Sequence, residues 1–293
     1  MANLGRNRSY GKVKPVVGST INWGHPLAKG LVGCWLMNER RGNKVRDISN
    51  HGNHGTNIGV NWKSSILGNS LDFDGTDSAV DCGTGSSIHN LGPLTFVTLF
   101  NMDTFGEGSL ARLFDTKNAA GRRLFVHNSS SQKAIQWSVD YVTTDLGKKS
   151  VDNSLDTGIW THFALTWDGG LAHAGVHMYK NGIELAYSSN PGETFDASGD
   201  IVSDSGGVFY IGNNTSPSGT RTFDGRIVFV YMYNRVLIQS EVVALYKSPY
   251  QFIQSNRMSR YFFPAAVAGG VSLNQVERRQ PRGLMRGVAR GVT

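Results

Sequence analysis

Apolar residues fall on every second position through Ile135, Trp137, Val139 and Tyr141, with Gln136, Ser138 and Asp140 between them. Side chains alternate across a strand, so this pattern turns one face inward and the other outward. Ile159, Phe163, Leu165 and Trp167 alternate in the same way with His162, Ala164 and Thr166. Two further segments, 176–180 and 183–186, are separated by Asn181-Gly182. Both positions of such a two-residue turn need positive φ, which makes the pair a strong hairpin signal. In 95–102, Phe96, Phe100 and Met102 face one way and Val97 and Leu99 the other, as in a strand covered on both sides. Segments 31–36, 71–73, 79–82, 208–212 and 225–233 read as further strands, with Asp74-Gly75-Thr76-Asp77 as a turn. One stretch alone reads as a helix: Ser240 as N-cap, Glu241 at the positive end of the dipole, then Val242, Val243, Leu245 and Tyr246, stopped by Pro249.

Composition agrees with many short strands and tight turns. Glycine makes up 36 of 293 residues and charged residues only 17%, against about 25% charged in soluble domains. No run of eighteen apolar residues is present, so no membrane-spanning helix is expected. The N-terminus lacks the apolar stretch of a secretory signal, and Cys34 and Cys82 are too few for a disulfide scaffold. Both cysteines read as small buried hydrophobes in a chain made in a cytoplasm. Charge is uneven. Residues 1–14 carry +4 and residues 254–293 carry +6, which leaves the intervening body at −3. A mildly acidic body argues against nucleic-acid binding there, and leaves it open only for the arginine-rich end. That end closes on the repeat Arg282-Gly-Leu-Met, Arg286-Gly-Val-Ala, Arg290-Gly-Val-Thr, which reads as an extended arm because three interior glycines disfavour a helix. Three regions follow: a basic N-terminal arm (1–20), a body (21–250) and an aromatic, Arg-Gly-rich C-terminal arm (251–293).

Four ordered groups of residues resemble the laminin-G-like branch of the concanavalin A-like lectin/glucanase jelly rolls. They are Gly30-Leu-Val-Gly-Cys-Trp-Leu-Met-Asn-Glu39 with Asp47-Ile-Ser-Asn-His-Gly-Asn-His-Gly-Thr56; Leu71-Asp-Phe-Asp-Gly75 with Ala79-Val-Asp-Cys-Gly83; Trp160-Thr-His-Phe-Ala-Leu-Thr-Trp-Asp-Gly169 with Met178-Tyr-Lys-Asn-Gly-Ile-Glu-Leu185; and Phe223-Asp-Gly-Arg-Ile227 with Tyr233-Asn-Arg-Val-Leu237 and 241–246. The resemblance implies an all-β fold: a two-sheet antiparallel jelly-roll sandwich of about six or seven strands per sheet, with one short C-terminal helix and extended terminal arms. Segments 21–26 and 244–252 look like the ends of such domains encoded in bacteriophage genomes. Val228 and Phe229 stand where relatives often carry acids, and Asn38 and His54 where aspartate is frequent. These departures weaken the transfer of a structural calcium site.

For catalysis, glycoside hydrolysis needs two carboxyl groups about 5–9 Å apart. The six glutamates do not form the Glu-x-Asp-x-Glu pattern of glucanase relatives; Asp72, Asp74 and Asp77 come nearest. His51, His54 and Asp47 have the residue types of a zinc site, yet no third strong ligand lies nearby, and a self-bonded glycine-rich loop is the favoured reading. Asp47, Asp74 and Asp224 are the calcium candidates; no cofactor is otherwise expected. Trp137 and Trp167 fall on apolar faces, whereas Trp23 and Trp62 lie in loop-like sequence and are the candidates for stacking on a sugar. Phe252, Tyr261, Phe262 and Phe263, with Arg282, Arg286 and Arg290, are the candidates for contacting a partner. The sequence thus points to a non-enzymatic bacteriophage structural or capsid-decoration protein of the virion, held to other virion proteins or further copies of itself by its basic ends. A carbohydrate-binding module for cell-surface attachment is the alternative, and a glycan hydrolase ranks below both.

Overall fold

The alternating segments form two antiparallel sheets stacked face to face in a computed structural model, which describes residues 13–116, 121–127, 132–214 and 221–254. The first sheet runs, in hydrogen-bonded order, Ile183–Glu184, Val176–Lys180, Thr161–Trp167, Leu94–Met102, Asp224–Tyr233, Gly68–Asp74 and Asn61–Ser65. Leu31–Trp35 pairs with the far half of Asp224–Tyr233. The second sheet runs Leu146–Lys149, Ala134–Val139, Arg122–His127, Arg112–Asp115, Tyr210–Ile211, Ala79–Asp81, Gly55–Ile58 and Lys44–Val45. Each sheet therefore has eight strands, and the architecture is the jelly-roll sandwich. The expected hairpin closes at Asn181 (φ 54°) and Gly182 (φ 79°). The turn at 74–77 does not join neighbours in one sheet. Gly68–Asp74 lies in the first sheet and Ala79–Asp81 in the second, so this turn carries the chain across the sandwich.

Between the sheets sits one continuous apolar core. Phe96 and Phe114 approach to 4.6 Å between ring centroids, Phe114 lies 5.7 Å from Trp137, and Trp137 lies 5.9 Å from Trp167. A second core covers the opposite face of the first sheet, where Val97, Leu99, Ala164, Phe229 and Tyr231 are buried. The helix Gln239–Lys247 lies over this face and buries Val242 and Leu245, each contributing about 1.5–3 kcal/mol of transfer free energy. Its N-cap is Ile238 rather than Ser240, because Glu241 sits at the third helical position. There its carboxylate accepts the Ile238 N–H at 3.1 Å and both Arg235 Nη atoms at 2.7 and 2.8 Å.

Both ends of the described chain belong to this body, which corrects the arm boundaries read from charge. Thr20–Ile21 pairs antiparallel with Ile253–Gln254. Phe252 is fully buried, edge-on to Tyr231 at 5.3 Å, and so fills the body's own second core rather than offering an anchor to a partner. Its aromatic neighbours in sequence drew it into the arm; the register of the terminal strand pair pulls it inward. Ile159 also departs from expectation, being exposed just before its strand begins. Tyr261, Phe262, Phe263, Arg282, Arg286 and Arg290 lie outside the described residues.

Lys14 holds the N-terminal segment down. A register shift between Ile227 and Phe229 frees the Val228 carbonyl from the ladder. The Lys14 Nζ donates to that oxygen at 2.6 Å, to Met37 O at 3.1 Å and to Asn69 O. Burial pushes this ammonium well below its ordinary range, opposed by the charge of Glu39.

Candidate functional site

Trp23 is the sequence-designated residue that the fold leaves open. It follows Thr20–Ile21 and precedes the short 3-10 turn Pro26–Ala28. The backbone on both sides is tied down: Asn22 N–H donates to Phe252 O at 2.9 Å, His25 N–H to Asn22 O at 2.9 Å, and Leu27 N–H to His25 Nδ1 at 3.1 Å. The indole itself remains 48% exposed. A fixed backbone carrying a projecting aromatic ring supplies a flat apolar platform at little entropic cost.

The loop 47–54 forms the other wall, and Asp47 organises it. Its Oδ1 accepts Cys34 N–H at 2.9 Å and Ser49 N–H at 2.8 Å; its Oδ2 accepts the Ser49 hydroxyl at 2.8 Å and Asn53 N–H at 3.0 Å. The Asp47 N–H donates to His54 Nδ1 at 3.1 Å. Asn53 O receives the Trp35 Nε1 proton at 2.7 Å, and Asn53 Nδ2 donates to Val32 O and Ser87 Oγ at 3.0 and 2.9 Å. Asn50 (φ 66°) and Gly52 (φ 79°) let the chain reverse here. Inward groups are thereby satisfied, while Asn50, His51 and His54 stay exposed.

Two clefts meet at Trp23. One, of about 510 Å³, is walled by His25, Lys29, His51 and Asn234. The other, of about 730 Å³, is walled by Thr20, Arg46, Asn50 and His54. An aromatic face flanked by amide, imidazole, hydroxyl and cationic donors is suited to a ligand with an apolar face and a polar rim. Trp62 is placed differently. Its Nε1 donates to Gly42 O at 2.9 Å and its ring packs against the inter-sheet core, so little of it faces a ligand.

The metal and catalytic candidates are occupied with structural work. Asp47 has four donors and His54 already accepts one, so the zinc reading of His51, His54 and Asp47 does not hold. Asp74 Oδ1 accepts the N–H groups of Thr76, Asp77 and Ser78 at 2.9, 3.2 and 3.3 Å and the Ser78 hydroxyl at 2.8 Å. Asp224 Oδ2 accepts the Thr104 hydroxyl at 2.6 Å. Among the described residues, no three His, Cys, Asp or Glu side chains converge on a common point where calcium or zinc could sit. Asp72 pairs with Lys63 at 2.7 Å. Burial acts to raise Asp74, Glu193 and Asp204, yet each lies below its ordinary range because donors outweigh it: Thr76 and Ser78 for Asp74, Lys149 and Ser188 for Glu193 (to about 2), Arg122 and Asn90 for Asp204. Every carboxyl group with a shift among the described residues is moved downward. A general acid for glycoside cleavage requires the opposite.

Two features escaped the sequence reading. The cations beside Trp23 were passed over, although Arg41, Lys44 and Arg46 fall within six residues of one another, Lys44 on the strand Lys44–Val45. On the second core, a groove of about 420 Å³ is lined by Leu99, Trp160, His162, Phe229 and Tyr246. His162 lies there buried, its imidazole pushed down to about 3 by desolvation. Its alternation with Phe163 had marked it as outward-facing.

A family model described as "Concanavalin A-like lectin/glucanases superfamily" (Laminin_G_3) matches residues 74–243. No curated protein matches the chain. Among solved structures, the binding domain of Paraclostridial Mosquitocidal Protein 1 is similar at 15% identity and a TM-score of 0.58, over 77% of this chain and 53% of that one. A Trypanosoma rangeli sialidase in complex with 2,3-difluorosialic acid is similar at 20% identity and a TM-score of 0.54, over 86% of this chain and 38% of that one. The chain thus spans about half or less of these solved proteins, and at such identities the likeness is one of fold. Trp23 and the loop 47–54 lie outside the residues that the family model matches.

Proposed function

We propose that this chain, which belongs to the concanavalin A-like lectin/glucanases superfamily, is a non-enzymatic carbohydrate-binding module with Trp23 as its sugar platform. The observation that carries the reading is the half-exposed indole on a fixed backbone between two clefts whose walls mix apolar and polar side chains. Among the described residues the one acid lining these clefts, Asp47, is saturated by four donors, which supports binding over cleavage within a superfamily whose description includes both. Trp23→Ala is expected to weaken glycan binding at least tenfold, or about 1.4 kcal/mol, with an unchanged melting temperature; Trp62→Ala is expected to lower the melting temperature more than the affinity. Glycan-array binding followed by calorimetry on the best ligand checks this. Undiminished binding by Trp23→Ala would remove the site, and no glycan binding by the intact chain would remove the function.

A second reading adds a setting, the bacteriophage virion, and rests on the distribution of charge. By sequence the two ends contribute +4 and +6 to a body of −3, although the Lys14 ammonium of the first is itself buried in the body. Paired strands bring Thr20–Ile21 beside Ile253–Gln254, so residues 20 and 254 lie side by side on the body. Basic ends of this kind fit attachment to acidic faces of neighbouring virion proteins or further copies of this chain. Removing residues 257–293 is expected to leave a folded body that no longer enters the particle, read by co-sedimentation with assembled virions. Normal incorporation of the truncated chain would refute the tethering role.

A further inference from the structure

The surface around Trp23 carries the opposite sign of charge from the body as a whole. Lys29 walls one of its clefts and Arg46 the other. Val17 and Arg46 also line a third cleft of about 440 Å³, whose wall adds Arg41 and Lys44. The first and second hollows share Trp23 as a wall, and the second and third share Val17 and Arg46, so the three are neighbours. Val45 between them is fully buried, so Lys44 and Arg46 extend outward together, about 6.6 Å apart along the chain. All four cations are exposed. Among the described residues none of their side-chain nitrogens has a carboxylate partner. Two acids share these walls: Asp47, buried with four donors, lines the second cleft, and Glu39, whose Oε1 accepts the Arg46 backbone N–H at 2.8 Å, lines the third. Four exposed cations against these two acids leave the strip net positive, which attracts an anionic ligand.

We infer that the ligand of this strip is an acidic glycan, with one sugar stacked on Trp23 and carboxylate or phosphate groups on neighbouring units meeting Arg46, Lys44 and Lys29. This rests on the glycan-binding reading above and adds the ligand's charge and extent. Arg46 presents a planar fork suited to either anion, whereas Lys29 and Lys44 act as point charges. A single-stranded nucleic acid is the competing polyanion. It fits less well, because such strands bind along successive aromatic platforms and Trp23 is the one Trp, Tyr or Phe among the described residues lining these two clefts.

The test is an immobilised panel of neutral, carboxylate-bearing and phosphate-bearing glycans, with a twenty-nucleotide oligo-dT on the same surface, probed with the full chain at low and physiological salt. The expected hits are acidic glycans. Their affinity falls with added salt, drops at least tenfold in Arg46→Gln with Lys29→Gln and Lys44→Gln, and drops less in Arg46→Lys, which keeps the charge but loses the fork. The carboxylate and phosphate members of the panel separate the two sources of charge. Binding confined to neutral glycans would overturn the inference while the glycan-binding function survives. Binding of oligo-dT as tight as that of the best glycan and indifferent to Trp23→Ala would overturn it in favour of nucleic acid. No glycan bound at any salt would remove both. These side chains are exposed, so an unchanged melting temperature separates lost binding from lost fold.

Discussion

Trp35→Ala is expected to destabilise the fold by about 3–5 kcal/mol, the usual range for deleting a fully buried aromatic side chain. That is a large share of the roughly 5–15 kcal/mol available to a domain. Trp35 has no exposed surface, stacks on Phe209 at 5.6 Å between centroids, and gives its Nε1 proton to Asn53 O at 2.7 Å. Its ring leaves no room for a side chain at position 33: a Cβ on Gly33 would stand 2.4 Å from it. The indole also ties the inter-sheet core to the loop 47–54 that walls the Trp23 clefts. Losing it therefore opens a cavity and releases a loop carbonyl together. Urea denaturation is expected to show a lower midpoint, and the glycan affinity proposed for the Trp23 clefts is expected to fall even in the molecules that remain folded. Trp35→Phe separates the two effects. It keeps most of the packing but strands the Asn53 carbonyl, at about 1–3 kcal/mol. A Trp35→Ala chain as stable as the parent would refute this account of the core.

The sandwich was legible because its strongest signals are local. Phe96 and Val97 sit on opposite faces of one strand and do enter different cores. Asn181-Gly182 closes the expected hairpin for a backbone reason that needs no tertiary context. The second core was not legible. His162, Ala164 and Thr166 alternate with large apolar residues and so read as solvent-facing, but the helix and the 249–252 turn cover that face. Phe252 was misplaced for the same reason, since only the pairing of the two chain ends turns it inward. At the site, Trp23 could be found because a large aromatic in polar, turn-rich sequence stands out. Trp62 shared that context and proved half-buried, its indole N–H satisfied by Gly42. The cationic strip was only partly legible: Arg41, Lys44 and Arg46 fall within six residues, a local basic cluster, but Lys29 joins them only through the clefts around Trp23 and Arg46.

Arg122→Met is expected to cost about 3–5 kcal/mol and to reverse the pH dependence contributed by one carboxylate. Arg122 Nη1 lies 2.7 Å from Asp204 Oδ2, and both side chains are almost wholly enclosed. The guanidinium also lies 5.7 Å from the centroid of the Trp167 ring. Asp204 Oδ1 accepts Asn90 N–H at 2.6 Å and Oδ2 accepts the Thr116 hydroxyl at 2.7 Å. Burial alone would raise the Asp204 carboxyl; Arg122, Asn90 and Thr116 together hold it below its ordinary range. In the parent, the folded state therefore binds this proton less readily than the unfolded chain. The stabilisation is present above the unfolded value of about 3.9 and is lost as pH falls through the lower folded value. Without the arginine, desolvation is opposed only by two hydrogen bonds, and the folded value is expected to rise above the unfolded one. The sign then inverts: the variant loses stability as pH rises through that value, because an unpaired carboxylate must be charged in the interior. Urea titrations from pH 3 to pH 8 measure this directly. Arg122→Met is expected to lie closest to the parent at the acid end and furthest from it at neutral pH. Asp204→Leu combined with Arg122→Met is expected to recover much of the loss, since an apolar pair leaves no buried charge behind. A penalty for Arg122→Met that is constant across the pH range would mean that Asp204 does not carry it.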